Sequence, residues 1–366
     1  MCIVLLTGIG DVVHGLPLAT DLKRDDPTRR VVWVAEPAPA RVLDHHPDVD
    51  EVVVFHKRRG LAGLMALAES FRGRSCDLTL NMQRYLKGAF PALLSGAAVR
   101  VGLPPSKTRD GVAWLNTHHL PEGPWRHTQD MLLEYRDVLG LPPLARVLWR
   151  IRFSAPERAA QRRFLEALPP GRPVAGLVLG TANAKKDWPA ERYPPLAAAL
   201  TDMGYAVVLV GGPSPRERRV ADLVLATRPA GVVDGLGDSV RAMMTQVDAA
   251  DLLVSPDTGP LHIAHALDTP VVGLFGHTNP ARVGPWRRFR DLVVDRYTDA
   301  GDPSDPSGYE PRMGRMETIA VEDVLSRVER ARDRYGAGEG ERSGARRSGA
   351  LERAAPPDPG ESRWPS

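Results

Sequence analysis

Cysteine is nearly absent from this sequence: only Cys2 and Cys76 occur among 366 residues. Each lies in or beside an apolar run of the kind that forms buried strands, so we predict two buried thiols. Two such cysteines provide neither a disulfide framework nor the cysteine and histidine spacing of a structural metal site. We therefore expect no bound metal and no cofactor.

Long hydrophobic runs are also missing. No apolar segment approaches the roughly 20 residues that a membrane-spanning helix needs. Residues 1–6 are apolar but carry no basic n-region or cleavage site, so they predict a first strand rather than a signal peptide. These features predict a cytoplasmic protein, which can still work at a membrane surface.

Charge of one sign is not in excess either. The formal net charge is +3, which gives no reason to expect a nucleic-acid partner. The isoelectric point near 8.9 is compatible with acidic substrates. Hydrophobic residues make up 43% of the chain, which is enough for sizeable cores, and a length of 366 residues suggests two domains.

The chain does contain a regular alternation of strand-like and helix-like segments. In residues 1–150, apolar runs such as residues 3–6 alternate with helical segments such as residues 11–23. After the proline-rich residues 141–143, a second series begins at residues 174–179. We therefore predict an α/β protein with two doubly wound parallel sheets. Two such domains place a cleft at the carboxyl ends of their strands, where ligands of these sheets bind.

The same segments predict the domain boundaries. Residues 1–150 form the first domain and residues 151–317 the second. Residues 318–335 read as one amphipathic helix, because their apolar side chains are spaced for a single face. Gly, Pro, Ser, Arg and Glu predominate in residues 336–366, so we predict a disordered tail there.

The most informative segment is Ser-Pro-Asp-Thr-Gly-Pro-Leu-His at residues 255–262. It joins an apolar strand-like run to a helical segment. Asp257 and Thr258 stand where helix caps stand, and Pro260 suits the first helical position, where its missing N–H is no loss. A strand-loop-helix turn leaves backbone N–H groups at a helix N-terminus, and this predicts an anion site suited to a diphosphate.

A glycine turn follows the first strand. Thr-Gly-Ile-Gly-Asp at residues 7–11 opens a helix, and Glu36 closes the second strand, as in a dinucleotide fingerprint. The third glycine position of that fingerprint is Val13, so the match is incomplete. Asp11 is either a simple helix cap or a carboxylate that accepts a proton.

Charged residues follow several other strands. Lys185 and Lys186 follow the first strand of the second domain and are either a solvated pair or phosphate contacts. Glu217 follows the next strand as an acid in an early helical turn. Basic clusters in the first domain are either solvated faces or a wall suited to an anionic sugar or lipid phosphates. They contain Lys57, Arg58, Arg59, Arg84, Lys87, Lys107 and Arg109.

Four motifs resemble, in order, those of the lipopolysaccharide heptosyltransferases, glycosyltransferase family 9. They are G-I-G-D-V-V-H-G-L-P at residues 8–17, Q-R-Y-L-K at 83–87, K-D-W-P at 186–189, and D-T-G-P-L-H at 257–262 followed by P-V-V-G-L-F-G-H-T-N-P. The resemblance covers residues 1–334. It implies a metal-independent inverting enzyme of the GT-B fold, in which two Rossmann-like domains face a central cleft.

The resemblance also implies roles for single residues. Asp11 matches the family's general base, Lys186 its diphosphate-binding lysine, and Glu217 a glutamate that faces the ribose. Ala182 lacks the hydroxyl that the family carries, which removes one phosphate contact. The implied donor-binding residues are Thr181, Lys186, Glu217, Asp257, Thr258, Gly259, Pro260, Leu261 and His262. The implied acceptor-binding residues are Gly8, Gly10, Lys57, Arg58, Arg59, Gln83, Lys87 and Arg109.

The implied reaction transfers heptose from ADP-heptose to a Kdo-containing lipid A or inner-core acceptor. The partners would then be an ADP-sugar and an anionic glycolipid, with a transient contact at the cytoplasmic face of the inner membrane, and the protein would act as a monomer. Alternatives are a GT-B nucleotide-sugar enzyme with another donor or acceptor, including an epimerase, or an NAD(P)-dependent reductase that uses Gly8, Gly10 and Glu36. A glycan-binding protein without catalytic activity is a further alternative.

Overall fold

The computed structural model describes residues 1–143, 146–227 and 230–348. The chain divides into two compact units, Met1–Arg152 and Phe153–Ser366. The division follows Arg152, where the sequence predicts a domain boundary after residue 150. In the described residues, no helix has the combination of length and apolar character that crossing a bilayer would take.

The first unit alternates strands and helices as predicted. Its strands are β1 (Cys2–Val4), β2 (Val32–Ala35), β3 (Glu51–Val54), β4 (Leu78–Asn81), β5 (Val99–Gly102) and β6 (His118–His119). Its helices are α1 (Ile9–Asp25), α2 (Pro37–Ala40), α3 (Leu61–Ser70), α4 (Ala89–Leu94) and α5 (Thr128–Val138). The strands form one parallel sheet in the order β3-β2-β1-β4-β5-β6.

The second unit repeats this architecture. Its strands are β7 (Val174–Val178), β8 (Ala206–Val210), β9 (Val232–Asp234), β10 (Leu252–Pro256), β11 (Val271–Phe275) and β12 (Val294–Asp295). They form a parallel sheet in the order β12-β11-β10-β7-β8-β9. Its helices are α6 (Ala155–Glu166), α7 (Tyr193–Asp202), α8 (Pro215–Ala226), α9 (Val240–Ala249), α10 (Gly259–Ala266), α11 (Pro280–Val283), α12 (Val321–Tyr335) and α13 (Glu341–Ser348).

Burial of both sheet faces explains the continuous apolar runs of the sequence. Ile3, Trp33 and Leu253, for example, are completely buried within their sheets. Helices cover both sides of such parallel sheets, so a strand has no solvent-facing side on which polar residues could alternate. Cys2 is buried in this core, whereas Cys76 is partly exposed because it precedes β4 in a loop.

The C-terminal residues differ from the sequence prediction. Helix α12 begins at Val321 rather than residue 318 and packs against α7, β10, β11 and β12 of its own unit. Part of the predicted disordered tail is ordered, since residues 341–348 form α13 against α6 and α9. The Arg342 guanidinium holds this helix by donating to the carbonyl oxygens of Ala250, Leu267 and Asp268. Residues 349–366 lie outside the described residues.

Candidate active site

Asp11 lies at the carboxyl edge of the first sheet, in the opening turn of α1. The N-cap of this helix is Gly8, so Asp11 occupies the third helical position and is not the cap residue itself. Gly8 has φ 84°, and a Cβ atom there would lie 2.5 Å from Oδ2 of Asp11. Only glycine therefore allows both this turn and the close approach of the carboxylate. An anionic group at this position is stabilised by the positive end of the helix.

Three further charged residues surround this position. Nζ of Lys57 lies 2.8 Å from Oε1 of Glu36. Burial lowers the pKa of Lys87, and the positive charge of Lys57 lowers it further, while Glu36 and Asp11 raise it. The four residues follow β1, β2, β3 and β4, so they lie at the same edge of the sheet. In a dinucleotide site, the Glu36 carboxylate would face the ribose. Here it already forms an ion pair with Lys57.

The other predicted acceptor residues of the first unit fall into two groups. Arg58, Arg59 and Arg109 are exposed. Gln83, in contrast, is buried, and a Cβ atom on Gly88 would lie only 2.1 Å from its Cβ. The structure thus leaves the arginines accessible to a ligand and packs Gln83 into the loop after β4.

Lys107 is not part of an exposed basic wall. Its side chain is buried, and its Nζ lies 3.9 Å from the Glu134 carboxylate and 5.8 Å from the centre of the Trp125 ring. The Arg84 guanidinium contacts the same ring at 4.9 Å and donates to the Lys107 carbonyl oxygen. Burial raises the pKa of Glu134, although Lys107 opposes this shift. Lys107 is therefore packed inside this loop rather than exposed to a ligand.

Asp257 is the centre of the predicted donor site in the second unit. Its Oδ2 accepts hydrogen bonds from Nζ of Lys186 and Oγ1 of Thr278, each at 2.7 Å. Nε2 of His262 lies 3.4 Å from the other carboxylate oxygen. Burial alone would raise the pKa of Asp257, but the hydrogen bond with His262 and the charge of Lys186 hold it well below its ordinary value. A buried carboxylate thus connects the ends of β7, β10 and β11.

Lys186 keeps donor capacity beyond this ion pair. Its side chain is 26% exposed, whereas that of Asp257 is 7% exposed. An ammonium group has three N–H donors, and the carboxylate contact uses one of them. Lys186 is therefore oriented by a buried anion and can still contact a ligand phosphate from its exposed side.

The turn from Thr258 into α10 forms the other part of this site. Thr258 is extended, and its side chain makes no capping hydrogen bond. Gly259 and Pro260 are partly exposed, and the Leu261 side chain is completely buried. Leu261 can therefore contribute only backbone to a ligand, while its side chain packs into the core. The Thr258 side chain thus leaves the N-terminus of this helix uncapped, and an anion bound there stays a prediction.

Thr181 is turned toward its own loop. Its Oγ1 lies 2.6 Å from the Asn183 carbonyl oxygen and 2.8 Å from Oδ1 of Asp187. The other oxygen of Asp187 accepts a hydrogen bond from Arg216 at 2.6 Å. Burial raises the pKa of Asp187, and the hydrogen bonds with Thr181 oppose that shift. Asp187 follows Lys186 directly in the sequence, but no local pattern indicated that it would order the Thr181 loop.

Glu217 lies in the first turn of α8, whose N-cap is Ser214, and it holds the loop before this helix. Its carboxylate accepts hydrogen bonds from the Gly212 N–H at 2.8 Å and from the Ser214 hydroxyl at 2.6 Å. A Cβ atom on Gly180 or Gly211 would lie within 2.8 Å of this side chain. The glycines that end β7 and β8 therefore make room for Glu217. These contacts belong to an acidic residue in the first turn of a helix. A contact between Glu217 and a ribose stays a prediction.

In the part of the chain that the structure describes, no group of three or more His, Cys, Asp or Glu side chains could hold a metal ion.

Thr278 lies beside Asp257 but was missing from the predicted site. Its only sequence signal was its place in the G-H-T-N-P segment after the strand that became β11.

Comparisons with known proteins match most of this chain. The model of the family described as "Glycosyltransferase family 9 (heptosyltransferase)" matches residues 64–300. A relative from Haemophilus influenzae, lipopolysaccharide core heptosyltransferase OpsX, is 24% identical over 345 residues, which are 90% of this chain and 96% of that protein.

Two solved structures are similar over nearly their full length. A family 9 glycosyltransferase from Veillonella parvula has a TM-score of 0.75 and 21% identity, with 90% of this chain and 96% of that chain covered. The E. coli heptosyltransferase WaaC with ADP has a TM-score of 0.69 and 22% identity, with 90% and 99% covered. These likenesses confirm the predicted GT-B fold with two Rossmann-like domains.

Proposed function

This chain belongs to glycosyltransferase family 9 and is a glycosyltransferase, and we propose that it transfers heptose from ADP-heptose to a Kdo-containing acceptor of the lipopolysaccharide inner core. The name of its Haemophilus influenzae relative supports a heptose donor and a lipopolysaccharide acceptor. The similar E. coli heptosyltransferase, whose structure was solved with ADP, supports the nucleotide.

The observation that carries the proposal is the Lys186–Asp257 pair beside the N-terminus of α10. A departing ADP gains negative charge as the glycosidic bond breaks. Lys186 and the backbone N–H groups after Thr258 are positioned in advance for such an anion, and preorganised donors of this kind stabilise a transition state. Asp257 orients the lysine, so we propose that it acts through Lys186 rather than on the sugar.

Asp11 is the proposed general base. It would take the proton from the acceptor hydroxyl while that oxygen attacks the anomeric carbon from the face opposite ADP. This single displacement inverts the anomeric centre. The exposed cations of the first unit, Arg58, Arg59 and Arg109, would bind the carboxylate and phosphates of the acceptor.

The reductase alternative has less support. A dinucleotide site needs an acidic side chain for the ribose at the end of the second strand. Glu36 stands there, but its carboxylate is paired with Lys57 at 2.8 Å. Val13 replaces the third glycine of the fingerprint and is buried in the core. This reading also leaves the Lys186–Asp257 pair without a role.

Incubation of the purified full chain with sugar nucleotides tests the proposed reaction. The acceptor is a Kdo-containing lipid A precursor, and the donors are ADP-heptose, ADP-glucose and UDP-glucose. We expect acceptor-dependent ADP release and one added heptosyl unit with ADP-heptose, with inverted anomeric configuration by NMR. A chain that releases no ADP from ADP-heptose, or releases it equally without acceptor, would contradict the proposal.

A further inference from the structure

The loop after β11 carries a hydroxyl group that touches the carboxylate of the donor site. Thr278 is partly exposed in this loop. Its Oγ1 donates a hydrogen bond to Oδ2 of Asp257 at 2.7 Å, and Nζ of Lys186 donates to the same oxygen at 2.7 Å. Two donors from different loops therefore meet on one oxygen of a buried carboxylate.

The pairing of β10 with β11 explains why these side chains meet. The two strands are parallel neighbours, with Pro256 opposite Leu274. Asp257 comes directly after β10, and Thr278 comes three residues after the end of β11. Because neighbouring parallel strands end at the same edge of a sheet, a separation of 21 residues in the sequence becomes a direct contact.

The loop that carries Thr278 is itself held in place. Its neighbours His277 and Asn279 are both buried, each with 4% of the residue exposed. The N–H of Arg312 donates to the His277 carbonyl oxygen at 3.0 Å, and the Asn279 side chain donates to the Asp305 carbonyl oxygen at 2.7 Å. The Thr278 hydroxyl is therefore presented from a fixed backbone.

This hydroxyl affects how the carboxylate holds the lysine. A carboxylate oxygen can accept more than one hydrogen bond, and a neutral donor on Oδ2 of Asp257 withdraws part of the negative charge that faces Lys186. Nε2 of His262 lies 3.4 Å from the other carboxylate oxygen. With groups on both of its oxygens, Asp257 has a fixed orientation, and it holds the ammonium group without neutralising it fully.

We propose that Thr278 is a positioning residue for Lys186 and acts on it through Asp257. Thr278 fixes the direction of the carboxylate, the carboxylate fixes Nζ of the lysine, and the lysine contacts the diphosphate. The inference rests on the proposed function, in which Lys186 binds the diphosphate of ADP. Thr278 itself does not contact the nucleotide in this arrangement.

Calorimetric titration of the purified full chain with ADP tests this role. In Thr278→Val a methyl group replaces the hydroxyl, so the volume is kept and the hydrogen bond is lost. We expect ADP binding to weaken about three- to tenfold, the range given by loss of a single hydrogen bond. Thr278→Ser keeps the hydroxyl and should bind ADP within about twofold of the unmodified chain. Equal losses in the two variants would contradict a role for the hydroxyl.

A matched control lies at the other end of the same strand. Thr269 is completely buried before β11, and its Oγ1 donates to the Val247 carbonyl oxygen at 3.1 Å. Thr269→Val makes the same chemical change and should lower the melting temperature while ADP affinity stays normal. If Thr278→Val behaves like this control, Thr278 has a purely structural role and the proposal is wrong.

A double-mutant cycle with Lys186→Ala shows whether Thr278 acts through the lysine. Without the ammonium group there is nothing left to position. Thr278→Val should therefore cause no further loss of ADP affinity in the Lys186→Ala background. If the two losses add in full, Thr278 affects the nucleotide by a route that does not include Lys186, and the assignment fails.

Turnover measurements separate this inference from the proposed function. With ADP-heptose and the acceptor, Thr278→Val should lower kcat/KM by at least as large a factor as ADP affinity, because the leaving diphosphate gains negative charge in the transition state. The ADP titrations need neither heptose nor acceptor. A chain with the expected ADP affinities that transfers no heptose would contradict only the proposed function. Normal transfer and normal ADP binding by Thr278→Val would overturn only the positioning role.

Discussion

The two units have the same sheet order and differ in how the polar groups at their carboxyl edges are held. In the second unit, Lys186, Thr181 and Glu217 each have a protein partner that orients them. In the first unit, Arg58 and Arg59 lie exposed on a short helix. One edge thus holds its polar side chains in contacts with the protein, and the other leaves two arginines exposed.

The difference teaches that a predicted binding residue can have a structural role as well. Substitutions in the second unit should change both stability and ligand affinity, because the same contacts serve both. Substitutions at the exposed edge of the first unit should change turnover or binding with little effect on stability. The following predictions test this distinction, beginning with the largest effect.

Replacement of Asp11 by Asn should lower kcat by about 10²–10⁴-fold, the usual effect of losing a general base. The affinity for ADP should stay normal, because the proposed diphosphate contacts, Lys186 and the turn after Thr258, lie in the second unit. The melting temperature should change little, since a charge in the first turn of a helix contributes only about 0.3–1 kcal/mol. Steady-state kinetics, calorimetry with ADP and thermal unfolding measure the three quantities. A near-normal kcat would leave Asp11 with a purely structural role.

Replacement of Arg342 by Ala should destabilise the second unit by about 2–3 kcal/mol, because three partly buried carbonyl oxygens lose their donor. Arg342 also donates to Oγ1 of Thr269 at 2.9 Å. Urea unfolding measures the loss. Deletion of residues 349–366 is the matched control and should leave the free energy of unfolding unchanged. Equal stability of Arg342→Ala and the unmodified chain would show that α13 contributes nothing to the unit.

Replacement of Lys186 by Ala should weaken ADP binding about 10-fold or more and also lower the melting temperature, because Asp257 loses its cation. Lys185→Ala is the control, because Lys185 is exposed beside it and should change neither quantity. Calorimetry with ADP and thermal unfolding at neutral pH compare the two variants. Equal effects of both substitutions would mean that the motif is matched in the wrong register.

The pH dependence of Lys186→Ala provides a separate test. The pKa of Asp257 is depressed below its ordinary value of 3.8, so its ionisation stabilises the fold above that pH. This contribution disappears as the pH falls through the lower, native pKa. The difference in melting temperature between the unmodified chain and Lys186→Ala should therefore narrow below about pH 4. If the difference in melting temperature stayed constant across this pH range, the ion pair with Asp257 would not be its cause.

The smallest expected effect concerns the two thiols of the first unit, Cys2 and Cys76. One of these side chains acts on the other, as Asp257 acts on Lys186 in the second unit. The hydrogen bond from Cys2 lowers the pKa of the Cys76 thiol to about 7, although burial opposes the shift. Alkylation of Cys76 by iodoacetamide should therefore rise through about pH 7. In Cys2→Ala the rise should move to higher pH, because the thiolate loses its donor. An unchanged pH profile, measured by mass spectrometry, would show that Cys2 does not stabilise the thiolate.

Much of the fold was predictable because its signals are local. Apolar runs alternate with helical segments, and parallel sheets collect the residues that follow their strands at one edge. Asp11, Lys57 and Lys87 follow β1, β3 and β4 and therefore lie at such an edge, although their roles toward a ligand stay predictions. The ordered α13 was not predictable, since an arginine-rich segment without apolar residues looks disordered until its acceptors are known.

The sequence by itself determined the two parallel sheets, the strand ends that carry chemistry, and the glycosyltransferase family. Periodicity, turn residues and short motifs contain this information within a few neighbouring positions. Only the tertiary structure decided how those residues are used. It paired Lys186 with Asp257 across 71 residues, joined the Glu217 carboxylate to Gly212 and Ser214 of the preceding loop, and packed α3 against α4. Such contacts depend on distances between remote segments, which arise only when the chain packs.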